Sequence, residues 1–316
     1  MTSGVFVAGV CSVLFGLIDQ ARGGTTFITL AFLIRALEGA GSAAFQTSSF
    51  AIVAAEFTDR TPSVFAILET FCGLGLISGP AIGGVLFEHG GYPLPFLVLG
   101  GLLVLETFLV YLVVPESETL NNTSEASVKK FLADGATIIY SLVVTMCLII
   151  IGYNTAALEP HIRQFHLSPF LLGALFTICG GSYTLCAPIW GRMADRKFPP
   201  MVMVFVGCLL NSATLLIIGP APFLPFDTIL WVVILSLFLS GVANGGKIIG
   251  SFTGVLESTR KRGFPDNFST YGLVSALFTF CRSLGATIGP SFGGFVFENI
   301  GYRAGTMVLL AAELLL

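Results

Sequence analysis

One pattern, GxxxGPxxGGxxFExxGY, runs from Gly75 to Tyr92 and again from Gly285 to Tyr302, with the same 210-residue offset at every matched position. Both copies lie within long apolar segments. Gly and Pro at this density would break an exposed helix in water, but they are tolerated in membrane helices that neighbours surround. Gly75, Gly79, Gly83 and Gly84 in the first copy, and Gly285, Gly289, Gly293 and Gly294 in the second, leave a bare strip where another backbone can come close. Pro80 and Pro290 each remove one backbone donor and bend their helix. Such a repeat in an apolar chain predicts two related helical bundles.

The apolar content agrees. Hydrophobic side chains make up 54% of the 316 residues, charged ones 10%, and the mean hydropathy is +0.90. Soluble domains carry about 25% charge, so the chain reads as an all-α polytopic membrane protein. At about 20 residues per crossing, the apolar runs predict nine full spans, the first beginning at Met1, and a tenth from Arg303 that stops short at Leu316. The repeat equates the third span with the ninth. Six-helix halves with the repeated helix in fifth place would then put two helices before Met1. The expected domains are a first bundle over 1–114, a linker over 115–132 and a second bundle over 133–316. The polar run from Pro115 to Lys130 reads as flexible. Placing it in the cytosol puts nine Lys or Arg residues on that side and three (Arg22, Arg163, Arg303) on the other, as the positive-inside rule requires.

Several chemistries have no sequence support. The net charge of -3 and the lack of a basic, aromatic-rich stripe argue against nucleic acid. The seven cysteines and three histidines show no metal-ligand spacing, and no triad, P-loop or HExxH pattern is present. The reading is therefore no enzyme, no metal and no cofactor.

Charged groups inside spans are the functional candidates, because burying them in hydrocarbon is expensive. Arg35 and Glu38 stand one helical turn apart on one face, either as a packing ion pair or as a gating or proton-handling pair. Glu69 and Glu106 read as isolated acids. Lys247 and Arg282 either balance buried acids or, for Lys247, snorkel to the surface. Glu159 is the foremost candidate. It follows Tyr153, Asn154 and Leu158 and precedes Pro160, which frees backbone at the end of an apolar helix. A cytosolic turn holds Gly191, Arg192, Asp195 and Arg196, which together read as a conformational clamp between helix ends.

These same residues resemble known signatures. RxxxGxG at Arg35–Gly41, GxxxGPxxGG at Gly75–Gly84 and GRxADR at Gly191–Arg196 are similar to motifs of the major facilitator superfamily, and GPxxGG resembles its proton-coupled antiporters. The runs beginning at Phe71, Pro95, Leu158 and Tyr271 resemble the vesicular amine transporter family, above all its polyamine branch. The resemblance implies two pseudo-symmetric bundles that exchange lumenal protons for a cytosolic organic cation by alternating access. It implies a vesicle membrane and a coupling role for Glu159. Asn244 stands where monoamine and acetylcholine members carry an acid, with Lys247 following, a departure that speaks against a classical monoamine carrier and leaves a polyamine-like carrier open. The alternatives are a drug or metabolite antiporter of the superfamily, and a product that does not itself transport.

Overall fold

A computed structural model of the chain describes residues 1–20, 23–113, 125–223 and 227–316. Its elements are helices α1 (Thr2–Leu17), α2 (Gly24–Glu56), α3 (Thr61–Gly90), α4 (Pro93–Val113), α5 (Glu125–Leu132), α6 (Gly135–Ile162), α7 (Pro169–Asp195), α8 (Pro200–Ile218), α9 (Leu230–Lys261) and α10 (Phe268–Leu314). Side chains define several starts. The Asp134 carboxylate accepts from the Thr137 N–H (3.1 Å) and hydroxyl (2.9 Å) at the head of α6, and Asn267 accepts from the Thr270 N–H (2.9 Å) at the head of α10. These contacts satisfy donors that a helix N-terminus leaves unpaired.

Among the described residues, eight helices are long and apolar enough to cross a membrane. The first differs from expectation: α1 has 16 residues, which at about 1.5 Å each falls short of a hydrocarbon core about 30 Å thick. The ninth and tenth predicted spans fall on either side of a break in α10 at Gly301, where φ is 77°. The reason is the end of the repeat. Gly91, the matching position of the first copy, also has positive φ (67°), a conformation glycine adopts without steric cost. Each glycine is followed by an anchored tyrosine. Tyr92 donates to the Phe15 carbonyl (3.2 Å), and Tyr302 donates to Asn154 Oδ1 (2.7 Å). The terminal Gly-Tyr of the pattern is thus a helix stop and a peg.

The linker also departs from the sequence reading. Residues 114–124 lie outside the described residues, but Glu125–Leu132 is helix α5. Phe131 on α5 is buried and meets Phe264 edge-on, at 6.2 Å between ring centroids. An amphipathic turn with one aromatic anchor docks, where a uniformly polar run would stay solvated.

The chain divides into two compact units: Met1–Ile52 with Ser78–Asn122, and Val53–Ile77 with Thr123–Leu316. In the first, α1 lies along α4. A Cβ built on Gly9 would stand 3.0 Å from the Leu103 Cβ, so any larger residue there would push α4 or its side chains back. In the second unit, α6 packs along α10, and α9 packs on α6, α7 and α8. Its apolar core includes Ile150, Leu158, Leu215, Leu237 and Leu309.

Candidate functional site

The end of α6 carries the foremost sequence candidate. Leu158 is buried in the core while Glu159, the next residue round the helix, leaves its side chain 34% exposed. Both carboxylate oxygens are taken by one partner: Arg163 Nε reaches Oε1 at 2.8 Å and Nη2 reaches Oε2 at 2.9 Å. The pair borders a cavity of about 90 Å³ lined also by Ile162, His166, Leu167 and Leu172. Arg163 is 70% exposed. The two parallel hydrogen bonds fix the geometry of the pair, while water on the arginine side screens its Coulomb attraction. In the sequence Arg163 enters only the count of basic residues on the side opposite the linker. Its i, i+4 spacing from Glu159 was the available signal, hidden by the assumption that Pro160 ends the helix. Pro160 instead lies inside α6, which runs to Ile162.

Asn154 has different neighbours. It accepts from Tyr302, whose carbonyl in turn accepts from Tyr153 at 2.9 Å, and His161 stacks on the Tyr302 ring at 4.3 Å. Asn244, buried on α9, accepts from the Cys147 thiol at 3.3 Å, and its amide nitrogen lies 3.9 Å from Cys179 Sγ. Glu159, Asn154 and Asn244 are therefore held by three separate sets of partners.

Lys247, one turn beyond Asn244, does not snorkel. Its ammonium lies 2.7 Å from Glu313 Oε1, both side chains are 1% exposed, and Asn211 donates to Glu313 Oε2 at 3.3 Å. Glu313 carries no signal in the sequence, because it lies in the last apolar run, which is too short to read as a full crossing. Glu69 is likewise not isolated: Arg282 pairs with its Oε1, and the Tyr183 hydroxyl donates to Oε2. In the first unit, Arg35 and Glu38 are paired at 2.7 Å as their spacing predicts, and the guanidinium lies 3.9 Å above the Phe15 ring. Glu106 is half-buried on α4.

The clamp residues occupy the end of α7. Asp195 Oδ1 accepts from the Ser63 N–H (3.2 Å) in the first turn of α3, where a carboxylate complements the helix dipole. A Cβ on Gly191 would stand 2.6 Å from the Ala66 Cβ, so α3 and α7 touch there through small residues. Arg192 and Arg196 are exposed.

The two glycine strips differ. A Cβ on Gly289 would meet Ile149 O at 2.8 Å and Gly152 Cα at 2.9 Å, and one on Gly293 would meet Tyr153 Cα at 3.1 Å. The second strip is therefore the α6–α10 contact, with Gly285 seated against the carbonyl of Thr145 and Pro290 against Gly152, while Gly294 faces open space. Cβ atoms on Gly75, Gly79, Gly83 and Gly84 would meet nothing within 4 Å among the described residues.

The sequence pattern of the Major Facilitator Superfamily matches residues 1–265 and 141–316, which together span the whole chain. The chain belongs to that superfamily. Among superfamily members, the human MFS-type transporter SLC18B1 is 34% identical over 305 residues, 95% of this chain and 66% of that protein. The human synaptic vesicular amine transporter is 26% identical over 283 residues, 86% of this chain and 52% of that protein. The chain therefore spans just under two thirds of the length of the first relative and about half of the second. A bacterial homologue of the iron transporter ferroportin, solved in an outward-facing state, superposes with a TM-score of 0.74 at 18% identity, covering 99% of this chain and 80% of that one. That likeness carries the fold alone. The chain is thus an integral, multi-pass, all-α membrane protein of the major facilitator superfamily, and its relatives are transporters rather than enzymes.

Proposed function

We propose that the chain takes part in proton-coupled exchange of organic cations, namely polyamines or related amines, across an intracellular vesicle membrane by alternating access. The observation that carries the reading is the similarity to SLC18B1 along 95% of the chain; the similarity to a synaptic vesicular amine transporter supports the substrate class and the compartment. In this reading the linker is cytosolic, the halves over 1–114 and 133–316 are the two moving bundles, and the bilayer, the amine and protons are the partners.

Glu159 fits the coupling role on physical grounds. As a carboxylate it attracts an ammonium group in place of Arg163, and once protonated it lets that group leave. One carboxyl can therefore couple opposite fluxes if it faces one side of the membrane at a time. Asn154 and Asn244 would order the polar surroundings of the path, and Arg35 with Glu38 would stabilise the first bundle or its gate. Uptake of labelled spermidine into vesicles carrying the full-length protein, with and without an imposed pH gradient, tests the reading. Gradient-dependent uptake supports it, and uptake indifferent to the gradient removes the proton coupling.

A further inference from the structure

Within the second unit, one face of the first half of α3 is fixed to α7, α9 and α10 at four successive levels. Asp195 caps the backbone at Ser63; the Phe65 ring stacks on Phe252 at 4.1 Å and meets Phe278 edge-on at 5.6 Å; Glu69 is held by Arg282 and Tyr183; and Gly73 lies against the Thr184 side chain. Positions 65, 69 and 73 recur every four residues and so share one side of the helix. This explains why Val53–Ile77 belongs to the second unit while the rest of α3 belongs to the first.

Two of the four levels, at Phe65 and Gly73, use neutral contacts, and the Asp195 level caps backbone at a helix start; membrane helices make both routinely. The Glu69 level is different, because it buries a pair of opposite charges. The Glu69 side chain is 1% exposed and that of Arg282 21% exposed. Both carboxylate oxygens are occupied, one by the guanidinium from α10 and the other by the phenol from α7. Burying a charge pair among apolar helices costs more than packing apolar side chains of the same volume. A contact needed only to hold the helices together would be served better by the apolar option. A charge pair has one property that apolar packing lacks: when it is parted and each group reaches water, hydration compensates much of what is lost. It is a contact suited to breaking and remaking.

We propose that Glu69, Arg282 and Tyr183 form a charge latch that holds the first half of α3 against α7 and α10 in one state of the transport cycle and parts in the other. Glu69 and Arg282 are then positioning residues that govern the rate of switching between states, and they touch no substrate. The inference rests on the transport reading above for its kinetic consequence, but its structural consequence can be measured without any substrate.

Both arms of the test use the full-length protein. The first is hydrogen exchange of backbone amides in lipid nanodiscs. Glu69→Gln is expected to raise exchange across residues 61–77 and to leave α8 at its wild-type level. Restoring the pair in reverse, with Glu69→Arg and Arg282→Glu together, is expected to return the protection. Unchanged exchange over 61–77 in Glu69→Gln, or a reversed pair that stays as unprotected as the single variant, overturns the latch. The second arm is spermidine uptake in reconstituted vesicles. Here Glu69→Gln and Arg282→Gln are each expected to lower kcat about tenfold or more with KM nearly constant, since slower switching between states limits turnover while no substrate contact is removed. Tyr183→Phe, which leaves both charges in place, should lose less. A large rise in KM at unchanged kcat would instead make Glu69 a substrate contact and overturn the assignment. If the wild type moves no amine, the transport reading fails and the exchange experiment alone decides the latch. If the single charge variants fail to insert, exchange in the reversed pair and in Tyr183→Phe decides it by the same criteria.

Discussion

At the scale of single residues, the buried pair of Lys247 and Glu313 is where substitution should be felt most. Asn211 and Ser240 complete the network, with Ser240 donating to Asn211 Oδ1 at 3.2 Å. Removing one partner leaves an uncompensated charge in an apolar interior, a loss of about 3–5 kcal/mol, whereas replacing both by apolar or neutral groups is often neutral. Lys247→Met alone and Glu313→Gln alone should therefore melt well below the wild type in detergent, and the double variant should recover most of the difference; a double variant as unstable as the worse single one would show that the pair is not the unit. Asp134, just outside the first turn of α6, supplies a pH test. Burial raises its carboxyl pKa, but the Ser258 and Thr137 hydroxyls, the Thr137 N–H and Arg262 outweigh burial and bring it below its ordinary 3.8. A depressed folded-state pKa adds stability that is fully present above 3.8 and is lost as pH falls through the lower folded value. Asp134→Asn should thus melt below the wild type at neutral pH, with the gap closing toward pH 3 or lower; a gap independent of pH would contradict the assignment.

Helices show what the sequence could and could not carry. Periodicity and the 210-residue repeat were enough to place the apolar helices, because membrane spans and small-residue strips are local patterns. The same signals did not reveal that one strip is occupied and the other open. That depends on which helix lies alongside, and α6 reaches α10 through Gly152, which carries no part of the repeat. Overpacking a tight crossing costs about 1–3 kcal/mol or more. Gly289→Leu should therefore lower the melting temperature of the purified 316-residue chain markedly, while Gly83→Leu should change it little. Equal losses at the two positions would mean that the first strip also meets a helix. Charge partners were the least legible feature. Glu69 and Arg282 are 213 positions apart and Lys247 and Glu313 are 66 apart, so nothing local marks either pair. The Arg163 pairing was local and was obscured by a proline that α6 absorbs near its end. Arg35 and Glu38 were readable because their whole interaction fits in one helical turn.

For the molecule as a whole, orientation and coupling are the properties to test. Asn121 and Asn122 lie outside the described residues, and Asn267 caps α10; all three sit in Asn-x-Ser/Thr acceptor sequences on the side assigned to the cytosol. None should carry glycan when the protein is expressed in a secretory membrane, and an endoglycosidase-sensitive mass shift mapped to any of them would reverse the topology. The proposed proton coupling falls on Glu159, whose carboxylate faces a small cavity and, among the described residues, is held by an exposed arginine. The most direct measurement is labelled spermidine uptake into vesicles containing the full-length protein at matched expression, with and without an imposed pH gradient, for wild type, Glu159→Gln and Glu159→Asp. Gradient-driven uptake should vanish in the Gln form, which cannot release a proton, and persist in part in the Asp form, which keeps the acid on a shorter stem. Gradient-driven uptake by the Gln form at the wild-type rate would contradict the account.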